Sequence, residues 1–226
     1  MAERARRLRA GQDRARLRAR AHPRPLVARR RAVSSQRTAV FLDRDGTLVR
    51  EVPGALNDPR QIELIPGAAE AVARLNRSGI PVALVTNQSA IARGWMDHER
   101  LERVHAALAK ELAAHGARLD AIAVCPHHPD EGLAPYRRAC GCRKPEPGLV
   151  LEAAEALGAD LARSWVVGDA ERDLEAGRRA GARALLVLTG KGQGEAERLR
   201  RSGAEPTCAA DLGAAVDAIL SQKSKL

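Results

Sequence analysis

The stretch Thr38-Ala39-Val40-Phe41-Leu42-Asp43-Arg44-Asp45-Gly46-Thr47-Leu48 sets the architecture of this chain. Its apolar run, Ala39 to Leu42, is short and continuous, as in a strand buried on both faces. It stops on two carboxylates, Asp43 and Asp45, one residue apart, and Gly46-Thr47 then turns the chain. In an open α/β sheet, ligands bind beyond the carboxyl ends of the strands, so acids placed there suit chemistry better than packing. Taken alone, the stretch fits a solvated Asp-rich turn equally well.

The residues on either side resolve that choice. Val49 to Leu64 holds Pro53-Gly54 and Asn57-Asp58-Pro59 and reads as a loop over the carboxylates. Pro66-Gly67 opens a helix whose apolar face is Ala68, Ala71, Val72 and Leu75, and Ser78-Gly79 closes it. Ile80 to Val85 is a second buried strand, ending at Thr86-Asn87-Gln88-Ser89. A helix over about 97–115 carries Leu101, Val104, Leu108 and Leu112 at helical spacing, and Ala121 to Val124 is a third strand. Pro147 opens a helix to about Leu157, and Trp165 to Val167 is a fourth strand ending at Gly168-Asp169. A helix from Glu171 to Ala180, a fifth strand from Ala184 to Leu188 and a helix from Ala209 to Leu220 complete the series. Alternating strands and helices predict an α/β fold, a Rossmann-like parallel sheet flanked by helices. The strand ends at Asp43, Thr86 and Asp169 then share one edge of the sheet, which makes a site.

Cys125-x-His127, twelve residues, then Cys140-x-Cys142 places three Cys and one His on a single loop. That donor set closes a tetrahedral zinc site, with no position left for a reactive water, so the zinc is expected to be structural. A redox pair is the rival reading. His22, His98, His105 and His115 lack matching neighbours and read as surface or tail positions, and Cys208 as a small core residue.

The chain has 226 residues, of which 45% are hydrophobic, enough for one sizeable core without disulfides. No apolar run approaches the roughly 20 residues that span a bilayer, and no charged-then-apolar leader opens the chain, so a cytoplasmic location is expected. The net charge of +10 is localised: residues 1–37 hold 13 Arg against Glu3 and Asp13, a balance of +11, which leaves −1 for the remainder. Residues 1–36 are Arg- and Ala-rich with few large apolar side chains, and are expected to be a disordered extension preceding a domain over 37–222. Nucleic-acid binding, an organelle-targeting peptide and an upstream start-site artefact are the readings of that extension; the last, or a tail without function, is preferred. Ser224-Lys225-Leu226 matches the peroxisomal address, a match three residues reach easily by chance.

Phe41-Leu42-Asp43-Arg44-Asp45-Gly46-Thr47 resembles the first motif of the haloacid dehalogenase-like phosphatases. Thr86 is similar to their second motif, Lys144 to their third and Gly168-Asp169-x-x-x-Asp173 to their fourth. The Cys/His loop followed by Arg143-Lys144-Pro145 resembles two branches, which act on a heptose bisphosphate or on histidinol phosphate. Thr86-Asn87-Gln88-Ser89-Ala90-Ile91-Ala92-Arg93-Gly94 looks like the heptose branch, because Ser follows Asn-Gln.

This resemblance implies a phosphatase with a minimal cap, in which the zinc-pinned loop of Cys125, His127, Cys140 and Cys142 replaces a cap domain. It implies Asp43 as nucleophile, Asp45 as general acid and base, and Mg²⁺ held by Asp43, the Asp45 carbonyl and Asp169. Glu51, Gly54, Thr86, Asn87, Gln88, Ser89, Arg143 and Lys144 would contact a small phosphorylated sugar, and Asp173 would be supporting. Ala170 stands where some relatives carry a polar or basic side chain, which implies one contact fewer. A monomer is expected, with no membrane or nucleic-acid partner.

Overall fold

The computed structural model describes residues 37–223. The Arg-rich extension 1–36 and the terminal Ser-Lys-Leu, with the readings attached to them, lie outside the described residues. Six parallel strands form one sheet: β1 (Val40–Leu42), β2 (Val82–Asn87), β3 (Ala121–Cys125), β4 (Trp165–Gly168), β5 (Arg183–Val187) and β6 (Cys208–Ala209). Their spatial order is β3-β2-β1-β4-β5-β6, so the direction of travel reverses beside β1. The reversal opens a crevice at the carboxyl edge, between the ends of β1 and β4. Leu42 pairs with Val167 there, and the Asp43 N–H donates to the Val167 carbonyl at 3.0 Å.

Side chains along a strand alternate between faces, and both faces of β1 are covered. Val40 and Leu42 join Val82, Leu84 and Val167 beneath α1 (Ala68–Arg77), α2 (His98–Ala114) and α6 (Leu212–Lys223). Phe41 faces the other way, with Val85 and Val166, beneath α3 (Gly148–Leu157) and α4 (Glu171–Ala180). That second face is rich in Ala, and a Cβ at Gly177 would meet the Val166 Cβ at 2.9 Å, so α4 lies close on the sheet. Asp97 caps α2 by accepting the Arg100 N–H at 2.8 Å. The described residues contain no helix long and apolar enough to cross a membrane.

Two elements have no counterpart in the sequence reading. α5 (Gly192–Arg201) buries only Gly192, Ala196 and Leu199 and is otherwise mostly charged, so its apolar stripe is too thin to register. The two-residue β6 carries Cys208, which is half-buried at the sheet edge and not enclosed in the core.

Candidate active site

Asp43 follows β1 directly, and its Oδ1 lies 2.9 Å from the Lys144 ammonium. The same Nζ is 2.6 Å from Asp173 Oδ1 and donates to the Val85 carbonyl at 2.7 Å, so three acceptors meet one fully buried cation. Burial opposes charge on Lys144, but Asp173 and Asp43 outweigh it and raise its proton affinity. At Asp43 burial again works against the charged form, and Lys144 and then Arg172 overcome it, holding the carboxyl below its ordinary range. Asp173 therefore belongs to the floor of the site, although its position in the first turn of α4 suggested only support for the helix. It also fixes that turn, its Oδ2 accepting the Ala170 N–H at 3.1 Å.

Asp169 follows β4 and stands beside Asp43 across the crevice. Its Oδ2 accepts the Lys191 N–H at 2.9 Å, whereas its buried Oδ1 has no partner among the described residues. Burial pushes this carboxyl up to about 7, and the charges of Asp43 and Asp173 add to the effect. Gly46, with φ +80°, permits the approach: a Cβ there would stand 2.0 Å from Asp169 Oδ2. A Cβ at Gly190 would come within 2.3 Å of the same oxygen. Asp43, Asp169 and Asp173 each offer an oxygen within 4.8 Å of the others. Asp173 has both oxygens engaged, by Lys144 and by the Ala170 N–H, whereas Asp43 gives only one to Lys144, which leaves Asp43 and Asp169 as the carboxylates suited to a hard divalent cation.

Asp45 is held by a network that the sequence did not suggest. Arg44, 1% exposed, reaches its carboxylate at 3.1 Å. Gln88 accepts from Arg44 Nη2 at 3.0 Å and donates to Asp45 Oδ2 at 3.2 Å and to Thr86 Oγ1 at 2.8 Å. Beneath them, His105 Nε2 lies 3.4 Å from Arg44 Nη1. His105 is buried and not a surface residue; burial, and then the Arg44 charge, drive its pKa down to about 3. His98 is also partly buried, tilted against Tyr136 with its Nε2 2.9 Å from the phenol oxygen, whereas His115 is exposed beside Glu70.

Above this floor lies a cavity of about 330 Å³. Of the candidates read from the sequence, Asp43, Asp45, Glu51, Gly54, Asn87, Gln88, Ser89 and Arg143 line it. Thr86, Lys144 and Asp169 are buried and lie outside that lining. Both polar ends of the Asn87 amide bind the Lys144 main chain, at 3.0 and 3.1 Å, so this side chain sets the loop that carries Lys144. Ser89 Oγ accepts from Arg93 at 2.7 Å, Arg143 donates to the His127 carbonyl at 3.0 Å, and Glu51 pairs with Lys191. Arg172, two residues beyond Ala170, faces the cavity as well, and nothing in its sequence neighbourhood marked it.

The Cys/His loop closes on itself. Cys125 lies 3.6 Å from both His127 Nδ1 and Cys140, and Cys142 lies 3.3 Å from Cys125 and Cys140 and 3.4 Å from His127 Nδ1. Zn–S bonds of about 2.3 Å give a tetrahedron with edges of roughly 3.8 Å, close to these separations. The thiols are free and not paired as disulfides. The contact between Cys125 and Cys142 pulls the Cys142 thiol down to about 5, against the effect of burial, and pushes the Cys125 thiol up. The four donors can therefore hold zinc.

Two family models match the chain: one described as haloacid dehalogenase-like hydrolase over residues 40–118, and a HAD-hydrolase-like one over 141–215. A Pseudomonas aeruginosa D-glycero-beta-D-manno-heptose-1,7-bisphosphate 7-phosphatase is 42% identical over 156 residues, which are 69% of this chain and 84% of that protein. The Vibrio cholerae protein of the same name is 43% identical over 162 residues, covering 70% of this chain and 87% of the relative. Among solved structures, a D,D-heptose 1,7-bisphosphate phosphatase from B. bronchiseptica, complexed with magnesium and phosphate, superposes with a TM-score of 0.72. It is 36% identical, and the match covers 82% of this chain and 99% of that one. With two carboxylates beyond β1, a buried lysine between strand ends and relatives matched over most of their length, this chain belongs to the haloacid dehalogenase-like hydrolases.

Proposed function

We propose that the chain removes the 7-phosphate of D-glycero-β-D-manno-heptose 1,7-bisphosphate by way of an aspartyl-phosphate on Asp43. The observation that carries this is the floor of the cavity, where Asp43 is kept ionised by buried Lys144 beside the partnerless Asp169 oxygen. The names of the relatives supply the substrate and its β anomer.

The 7-phosphoryl group sits over Asp43. An Asp43 oxygen forms a bond to phosphorus as the bond from phosphorus to the sugar oxygen breaks, and Asp45 gives that oxygen its proton. Asp45 then takes a proton from a water that attacks the phosphoryl group and frees Asp43. Arg44 and Gln88 steady Asp45 at the cavity wall, where its side chain is 25% exposed and within reach of the leaving group. Lys144 and the Thr86 hydroxyl oppose charge on the phosphoryl oxygens, and Arg143, Ser89, Glu51 and the turn at Gly54 contact the sugar. Asp43, the Asp45 carbonyl and Asp169 would hold Mg²⁺, which would offset the repulsion between carboxylate and phosphate. Zinc on Cys125, His127, Cys140 and Cys142 is structural. The reaction belongs in the cytoplasm, on a small phosphorylated sugar, and needs a single copy of the chain.

The test is kcat/KM with Mg²⁺ for the β and α anomers of the heptose bisphosphate and for histidinol phosphate. The β anomer is expected to exceed histidinol phosphate by orders of magnitude, and Asp43→Asn to remove turnover while leaving the melting transition in place. Preference for histidinol phosphate would overturn the substrate, and full activity in Asp43→Asn would overturn the chemistry.

A further inference from the structure

Five cations line the cavity, and four of them are engaged. Arg44 holds Asp45, Arg93 pairs with Glu131 and Ser89, Arg143 donates to the His127 carbonyl, and Lys191 pairs with Glu51. Among the described residues, the Arg172 side chain has no hydrogen bond and no ion pair within 4 Å. The acids whose charges act on it, Asp43, Asp169, Asp173, Glu51 and Glu195, all have other partners: Lys144 for Asp43 and Asp173, the Lys191 N–H for Asp169, the Lys191 side chain for Glu51 and Arg198 for Glu195. A half-buried guanidinium left open in a cavity wall is a receptor for an anion.

We propose that Arg172 is a specificity-determining residue which, with Arg143, grips a second, non-reacting phosphate and so selects a doubly phosphorylated sugar over its monophosphate. The proposal rests on the phosphatase reading above. Three observations support it. Arg143 and Arg172 line the same cavity, so two guanidinium charges stand in one wall. Two like charges kept in one wall are relieved by a dianion. Arg143 uses only one donor on the protein, so both forks retain N–H groups enough for the oxygens of one phosphate. Finally, the reacting phosphoryl already has Lys144, which is fully buried at the floor, whereas Arg172 is a partly exposed wall residue. A cavity of about 330 Å³ has room for a sugar between the two anions.

The experiment compares kcat/KM for the heptose 1,7-bisphosphate and the heptose 7-phosphate in the wild type, Arg172→Gln and Arg172→Lys, with Mg²⁺ present. In Arg172→Gln the bisphosphate-to-monophosphate ratio is expected to fall at least about tenfold, as loss of a charge-assisted contact implies, and mainly through KM. Arg172→Lys keeps the charge and loses the fork, so its ratio should fall between the two. A ratio within about threefold of wild type overturns the proposal, whether both substrates are lost together or neither is. If Arg172→Gln does not fold, judged by its melting transition, Arg172→Lys decides, with a ratio within about twofold of wild type overturning the proposal. If the wild type hydrolyses neither compound, the phosphatase reading is what has failed. Calorimetric binding of fructose 1,6-bisphosphate against fructose 6-phosphate then tests Arg172 by the same tenfold criterion.

Discussion

At the scale of single residues, Arg44 and His105 show how a buried charge orders its neighbours. A guanidinium at 1% exposure must find acceptors, and Arg44 finds Asp45, Gln88 and the ring of His105. Protonation of His105 would set two cations against each other in a dry pocket, so the ring stays neutral. The folded pKa of about 3 lies below the ordinary histidine value of 6.5. The unfolded chain therefore binds the proton more tightly at acid pH. His105 weighs on stability little above pH 6.5, and its burden grows as pH falls from there towards 3. Between pH 6.5 and 5 the wild type should lose about 1.5 kcal/mol more stability than His105→Gln, a difference that urea unfolding at the two pH values would measure. Equal losses would show that the ring is not held neutral. In the sequence, Arg44 looks like a spacer between two acids, whereas His105 falls four residues after Leu101 and three before Leu108, so its place on the apolar stripe of α2 was the signal that it is buried.

At the scale of elements, the strands that carry the site were legible because their apolar runs stop abruptly on polar residues. β1 before Asp43, β2 before Thr86 and β4 before Asp169 were all visible, and a parallel sheet brings such ends together. α5 and β6 were not, since one is mostly charged and the other is two residues long. The Cys/His loop was legible by its spacing, but its connection to the floor became plain only in three dimensions. Cys142, Arg143 and Lys144 are consecutive, and Asn87 grips Lys144 by both its N–H and its carbonyl. Whatever loosens the thiol cluster also loosens the two cations that come after it in the chain. Cys140→Ser, or treatment with a zinc chelator, should lower the melting temperature by several degrees and reduce kcat/KM as well, since about 1 kcal/mol is worth roughly 2–4 °C in a domain near 200 residues. A lower melting temperature with unimpaired kcat/KM at 25 °C would separate the cluster from the site.

At the scale of the whole molecule, the charge is divided in two. The first 37 residues carry +11 and the remainder −1, and every side chain assigned to the site lies among the described residues 37–223. Deletion of residues 1–36 is therefore expected to leave kcat/KM within about twofold of the full chain. A larger loss would give the extension a part in folding or turnover. The molecule's centre of chemistry also depends on matter that is missing from it. Gly46, beyond β1, and Gly190, beyond β5, lie against each other, and each is so near Asp169 that a single methyl group would displace its carboxylate. In a saturation scan such a position would mimic a ligand while contributing none. Where Asp169 seats the proposed Mg²⁺, Gly190→Ala should raise the Mg²⁺ concentration for half-maximal activity much as damage to Asp169 itself would, because that carboxylate's place is defined as much by emptiness as by oxygen.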